Sequence, residues 1–246
     1  MRGRPNAVAK SRRWAFFSGL LMCGRYTQTA AFDELALRFG VTVEDDDHED
    51  LTPRYNTAPS LRVPVVAAAA SGRRLVMARW GFRPFWMKGN TLAPINAKAE
   101  TVATSRMFQE ALKRGRCLVP ANGFYEWKAV PGRKRKQPYY VRLKDGGLFA
   151  FAGLWTPAPA ETGAPATCTI ITTTPNELLA EIHNRMPVVL ERSDEDRWLD
   201  PRVTDVAEVL PCLRPLPAER MEAYPVSPLV SSALNEGPQL VEPLSR

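Results

Sequence analysis

Prolines run through this chain from Pro5 to Pro243, 22 in 246 residues, where roughly 5% would be ordinary. Each one fixes φ and removes a backbone donor, so helices and central strands are repeatedly cut short. A helical bundle, a long coiled coil and a solenoid are excluded, and a fold of many turns and short elements is expected. Apolar residues at 45% and aromatic residues at 9% rule out disorder over most of the length. The chain is long enough for one large domain or two small ones with a real core. Its longest apolar stretches reach about ten residues, too short to span a bilayer.

The formal charge of +7 is unevenly placed. Residues 1–21 carry Arg2, Arg4, Lys10, Arg12 and Arg13 and no acid, leaving only +2 for residues 22–246. Nucleic-acid binding must therefore rest on local patches. The cysteines Cys23, Cys117, Cys168 and Cys212 include no C-x-x-C pair. That spacing suits neither a zinc site nor a secreted disulfide framework, so no metal or cofactor is expected, in a reducing cytoplasm.

Residues 1–21 pair a basic start with the apolar run Trp14-Ala15-Phe16-Phe17-Ser18-Gly19-Leu20-Leu21. Read as an export signal, the segment has a twin-arginine pair and a lipoprotein-like Cys23, but Met22 is too large for the position before that cysteine. Read as an upstream extension, it precedes a true start at Met22, and removal of that methionine leaves Cys23 with a free α-amine beside its thiol. The second reading is the simpler, with 1–21 a disordered extension, 22–228 a single domain and 229–246 a tail.

From Met22 onward the pattern reads as α+β, with a mostly antiparallel or mixed, barrel-like sheet flanked by short helices. Phe32, Leu35, Ala36 and Phe39 recur at helical spacing before Gly40, predicting a helix over 30–39. Residues 44–50 form an acidic loop containing His48. Runs 61–69 and 73–82 read as a hairpin, 91–98 as extended and 103–114 as a helix stopped by Gly115. Runs 116–128, 138–144, 147–155 and 167–173 read as strands, with a short helix over 176–182. Ser193 and Asp196 resemble a capping box for a helix over 194–199. The segment from 211 shows little periodicity.

Several constellations could carry chemistry. Cys23, followed by Gly24-Arg25-Tyr26, is either a small buried hydrophobe or, as an N-terminal residue, a 1,2-aminothiol. An α-amine with an unperturbed pKa near 7.7–8.0 can attack an aldehyde, and the tethered thiol can then close a five-membered thiazolidine. In Pro120-Ala121-Asn122-Gly123-Phe124-Tyr125-Glu126-Trp127, strand alternation places Phe124 and Glu126 on one face and Tyr125 and Trp127 on the other. A carboxyl in such an apolar frame either faces solvent at a sheet edge or becomes a general acid through burial. His183 is the histidine placed for proton transfer, or one that simply caps a helix end. Asn96, Lys98 and Glu100 share a face if extended. Basic and aromatic residues interleave in Arg79-Trp80-Gly81-Phe82-Arg83-Pro84-Phe85-Trp86, in Ser105-Arg106-Met107-Phe108, and around Arg133-Lys134-Arg135-Lys136. They are either single-strand-binding equipment or, for Trp80, core, and, for 133–136, a solvated hairpin loop.

Taken in order, Met22-Cys23-Gly24-Arg25-Tyr26, Arg54-Tyr55-Asn56-Thr57-Ala58-Pro59, Trp80-Gly81, Asn96-Ala97-Lys98-Ala99-Glu100-Thr101, the Gly115-to-Trp127 block and His183-Asn184-Arg185-Met186-Pro187 resemble the SOS response-associated peptidase (SRAP) family of abasic-site processing proteins. The resemblance implies self-crosslinking to abasic sites in single-stranded DNA through an N-terminal cysteine. It also implies monomeric action in the cytoplasm at the nucleoid or replication fork, in the DNA damage response, with lyase or thiol peptidase activity alongside. It makes Cys23 the nucleophile, Asn96 a positioning residue, Glu126 the acid/base group and His183 a second proton-transfer group. Arg25, Arg106 and Arg185 would hold phosphates, Trp80 and Trp127 would line the strand, and Pro59 would lie near the cysteine. Lys98 stands where the family usually has arginine, which keeps charge but loses bidentate geometry.

Other classes begin the same way. An N-terminal-nucleophile amidohydrolase also exposes Cys-Gly after methionine removal, although further amidotransferase signatures are missing from the sequence. A Cys23–His183 pair could cleave the Met22–Cys23 bond, and a non-catalytic binder could use Arg25, Trp80 and Arg106.

Overall fold

The computed structural model describes residues 23–41, 51–70, 72–87, 93–159 and 163–244. The 1–21 extension, Met22 and the acidic run 44–50 with His48 lie outside the described residues. The architecture is α+β, a single domain of mostly antiparallel sheets with short helices. Among the described residues no helix is long and apolar enough to cross a membrane.

Strands β1 (Tyr26–Gln28), β2 (Arg54–Thr57), β7 (Gly123–Lys128), β8 (Gln137–Leu143) and β12 (Met221–Pro225) form one antiparallel sheet in the order β12-β8-β7-β1-β2. The second sheet contains β3 (Arg62–Ala69), β4 (Gly72–Trp80), β6 (Arg116–Ala121), β9 (Phe149–Thr156), β10 (Thr167–Thr173) and β11 (Met186–Pro187), with β5 (Asn96–Lys98) paired to β10. Because β10 pairs with both β9 and β4, the strands β4-β3-β6-β9-β10 close into a ring. Alternation sorts their side chains accordingly. Val63, Val65, Cys117, Val119, Phe151 and Cys168 belong to the inner core, while Val66, Leu75, Leu118 and Ile171 pack outward under the helices. Gly153 lies inside this ring, where a Cβ would stand 2.8 Å from both Cys117 Sγ and Val119 Cγ2.

Helices α1 (Phe32–Phe39), α2 (Gln109–Arg114), α3 (Glu177–Ala180) and α4 (Arg192–Leu199) are short. α1 ends where Gly40 adopts φ +63°, as the glycine predicts. Four expectations need correction. The 103–114 helix is confined to α2: upstream, Thr101 O accepts from both Thr104 N and Ser105 N, and the Thr104 hydroxyl also turns back to it. Such hydroxyl-bearing residues compete with the helix ladder. The run 116–128 is two strands in different sheets, parted at Asn122, whose Oδ1 accepts from Thr29 N at 2.8 Å. Gly123 is required just beyond, because a Cβ there would lie 2.3 Å from the Tyr140 ring. α4 starts at Arg192 without a side-chain cap, and Asp196 pairs with Arg73 instead. The aperiodic segment after 211 supplies strand β12, and Val230 and Leu240 beyond it are fully buried against Tyr125 and Tyr140.

Candidate active site

The antiparallel pairing of β1 with β7 sets Tyr26 opposite Phe124, and Tyr125 N donates to Arg25 O at 3.0 Å. Continuing that register brings the residues before β1 across from Glu126. Cys23 is 5% exposed, with φ +43°, an unusual value for a non-glycine residue. Its thiol and its backbone both lie close enough to the Glu126 carboxyl to pull that acid's pKa down. Nitrogen and sulfur of one residue thus converge on one acid.

Glu126 is 2% exposed, and its Oε1 has no hydrogen-bond partner. Burial disfavours the carboxylate and lifts its pKa to about 7, against the opposing pull of the Cys23 hydrogen bonds and of Lys136. The Cys23 thiol is pushed well above its ordinary value, by burial first and then by Glu126. A thiol so raised stays protonated at neutral pH, so its activation needs a base or a rearranged neighbour.

His183 arrives from the other sheet, on the link between α3 and β11, where its backbone N donates to Leu179 O at 2.8 Å. Its Nδ1 lies 3.8 Å from Glu126 Oε2. The same Nδ1 is 3.1 Å from Arg185 O and 3.2 Å from Arg185 N. Protonated, it donates to that carbonyl; unprotonated, it accepts from that amide. Either state keeps a partner, which suits a proton-transfer group. Arg185 is tied by a bidentate pair to Glu100, at 2.5 and 2.9 Å, and donates to Thr172 O at 2.7 Å. The Arg185 contact holds the Glu100 pKa down.

The structure therefore gathers Cys23, Glu126, His183 and Arg185. Lys98 is exposed on β5, across from Thr172. Asn96 donates weakly to Ile170 O at 3.4 Å, and no described hydrogen bond joins it to Cys23, Glu126 or His183. Trp80 is 1% exposed, in edge contact with Tyr26 and donating to Ile95 O at 2.9 Å, so of its two readings the core one fits. Arg106 is exposed on the turns before α2, and Pro59 is half-buried after β2. Trp127 is half-buried and donates to Ser231 Oγ at 3.1 Å.

Two features escaped the sequence reading. Asn56 is fully buried: Oδ1 accepts from Arg25 Nη1 at 2.8 Å, and Nδ2 donates to the carbonyls of Val230, Ser232 and Asn235. Arg25 itself donates to Val230 O at 2.9 Å, so residues 230–235 pack on the face of the first sheet that carries Tyr125 and Trp127. The second feature is the pair Phe85 and Trp86, 83% and 48% exposed, whose signal lay in the interleaved run that drew attention to Trp80 instead. Among the described residues no group of three His, Cys, Asp or Glu could hold a metal ion.

A thiol, a carboxyl of raised pKa and an imidazole are gathered where two sheets of an α+β domain meet. The chain belongs to the SOS response associated peptidase (SRAP) family, whose sequence profile matches residues 22–233. It is 42% identical over 227 residues to the abasic site processing protein YoqW of Bacillus subtilis strain 168, covering 90% of this chain and 99% of that one. The abasic site processing protein YedK of Escherichia coli K12 is 31% identical, covering 91% and 100%. The abasic site processing protein HMCES of Mus musculus is 28% identical, covering 80% and 67%. A crystal structure of a Bacteroides thetaiotaomicron protein superposes with a TM-score of 0.79 at 28% identity, covering 91% and 100%. A phage-related protein of Bordetella bronchiseptica superposes with a TM-score of 0.67 at 32% identity, covering 83% and 94%.

Proposed function

We propose that this chain processes abasic sites in single-stranded DNA by bonding covalently to the open-chain sugar through Cys23, once Cys23 is the first residue. The observation that carries the reading is the convergence of the Cys23 nitrogen and sulfur on the buried Glu126 carboxyl. Freed of Met22, that nitrogen becomes an amine beside a group able to give and take a proton near neutrality.

His183 moves a proton as the sugar hemiacetal opens to its aldehyde. The Cys23 amine attacks the aldehyde carbon and forms a carbinolamine. Glu126 protonates its hydroxyl, water leaves and an imine remains. Sγ then adds to the imine carbon, the thiol proton passes to nitrogen, and a thiazolidine results. One water is released in all. The second closure is intramolecular and gains the effective concentration of a tethered nucleophile. Arg25, Arg106 and Arg185 are proposed phosphate partners, with Lys98 beside them, although Arg25 and Arg185 already spend donors on internal carbonyls and Glu100. Asn96 and Pro59 are proposed to position the sugar, with Trp127 and the exposed Phe85 and Trp86 as stacking surfaces.

A denaturing gel with an abasic oligonucleotide tests the reading. Wild type should leave a shifted band, Cys23→Ala none, and Glu126→Gln a band forming about 100-fold more slowly, as loss of an acid/base group predicts. Borohydride should trap the imine. A full-strength band from Cys23→Ala would refute the assignment.

A second reading shares the site. The Cys23 backbone lies beside Glu126, which favours self-removal of the preceding segment by thiol peptidase chemistry. Intact mass of Glu126→Ala beside wild type tests it: dependence on the site predicts retention of the segment in the variant alone.

A further inference from the structure

The connection between β7 and β8 holds Lys128, Arg133, Lys134, Arg135 and Lys136 in nine residues, and no carboxylate falls between Glu126 and Asp145. Residues 22–246 carry only +2 in total, so this is a strong local concentration. The loop has a defined shape. Arg133 N donates to Val130 O at 3.1 Å around Pro131 and Gly132, with Gly132 at φ +76°. Proline followed by a glycine of positive φ makes a type II turn. Residues 133–136 emerge from it exposed, and among the described residues no ion pair engages them.

The arm is rooted at the rim of the active site. Lys128 Nζ lies 3.8 Å from Glu181, two residues before His183. Lys136 is near enough to Glu126 for its charge to oppose the burial that raises the acid. A run of like charges repels itself and attracts an anionic polymer. The polymer that enters this site is the one best placed to meet it.

We propose that the β7–β8 arm is a second phosphate-binding element, holding the sugar–phosphate backbone of the substrate strand beside the nucleotide at Cys23. The inference rests on the function proposed above. Contacts of this kind position the strand without reading its sequence. Each single-stranded phosphate neutralised adds about 0.7 to the slope of log affinity against log salt.

The test uses the full chain and a single-stranded oligonucleotide with a tetrahydrofuran site, which has no aldehyde and reports only reversible binding. In R133Q/K134Q/R135Q the salt slope should fall by about 2, from three contacts of about 0.7 each. Wild-type affinity should then drop about 16-fold more than the variant's between roughly 50 and 200 mM salt. Lys136 is left in place because its charge bears on Glu126. Adduct formation on a true abasic site at saturating protein should be unchanged. An unaltered slope would overturn the proposal, leaving a solvated hairpin. An unaltered slope together with lost binding of an acidic peptide would overturn it in favour of a protein partner. If wild type forms no adduct, the proposed function fails, while the slopes still decide the role of the arm.

Discussion

Glu126 dominates the residue scale because it is an acid in an apolar setting. Folded, it keeps its proton to about pH 7, whereas its ordinary pKa is 4.5. Between those values the folded chain binds more protons than the unfolded chain, so stability falls as pH rises from 4.5 to 7. The loss amounts to about 3 kcal/mol over that span. Glu126→Gln should remove the slope, gaining relative to wild type between about pH 5 and 8 in urea unfolding. Parallel profiles would show that the carboxyl is not raised. Glu126, framed by aromatic residues, and His183, one of two histidines, stood out in the sequence as candidates, and the structure sets them 3.8 Å apart. Asn56 did not, since a buried amide that binds a segment more than 170 residues further along leaves no local pattern. Trp80 and Trp86 show the same limit: both occur in one interleaved run, and only the closed ring of strands decides which turns inward.

At the scale of elements, Arg116 at the start of β6 ties two helices to the barrel. It is 5% exposed and donates to the carbonyls of Leu112, Lys113, Trp198, Asp200 and Val203. Arg116→Met would leave buried acceptors without donors and should destabilise by about 3 kcal/mol, read by chemical denaturation. A change under about 1 kcal/mol would mean that water replaces the guanidinium. Gly153→Ala should cost about 1–3 kcal/mol through overpacking against Cys117 and Val119, seen as a lower Tm. Strands and α1 were readable from period and from Gly40. The short reach of α2 and the break at Asn122 were not, because hydroxyl–carbonyl turns and a change of sheet leave the hydrophobic period nearly intact.

On the scale of the whole molecule, the site lies where the two sheets meet. Cys23 and Glu126 come from the first sheet and its entry, and His183 and Arg185 from the link into the ring-forming sheet, while the segment after β12 packs on the other face of the first sheet through Asn56 and Arg25. Such a site needs most of the chain to be folded, which is why α+β architecture could be read from alternating patterns while the gathering of the site could not. The proposed reaction turns on one residue in that frame, because Cys23 must offer both amine and thiol for the ring to close. Intact-mass spectrometry of the protein after reaction with an abasic oligonucleotide measures this directly. The account predicts one product, a chain beginning at Cys23 plus the oligonucleotide less one water, and no product on chains that keep Met22. An adduct of equal yield on chains with Met22 still attached would contradict it.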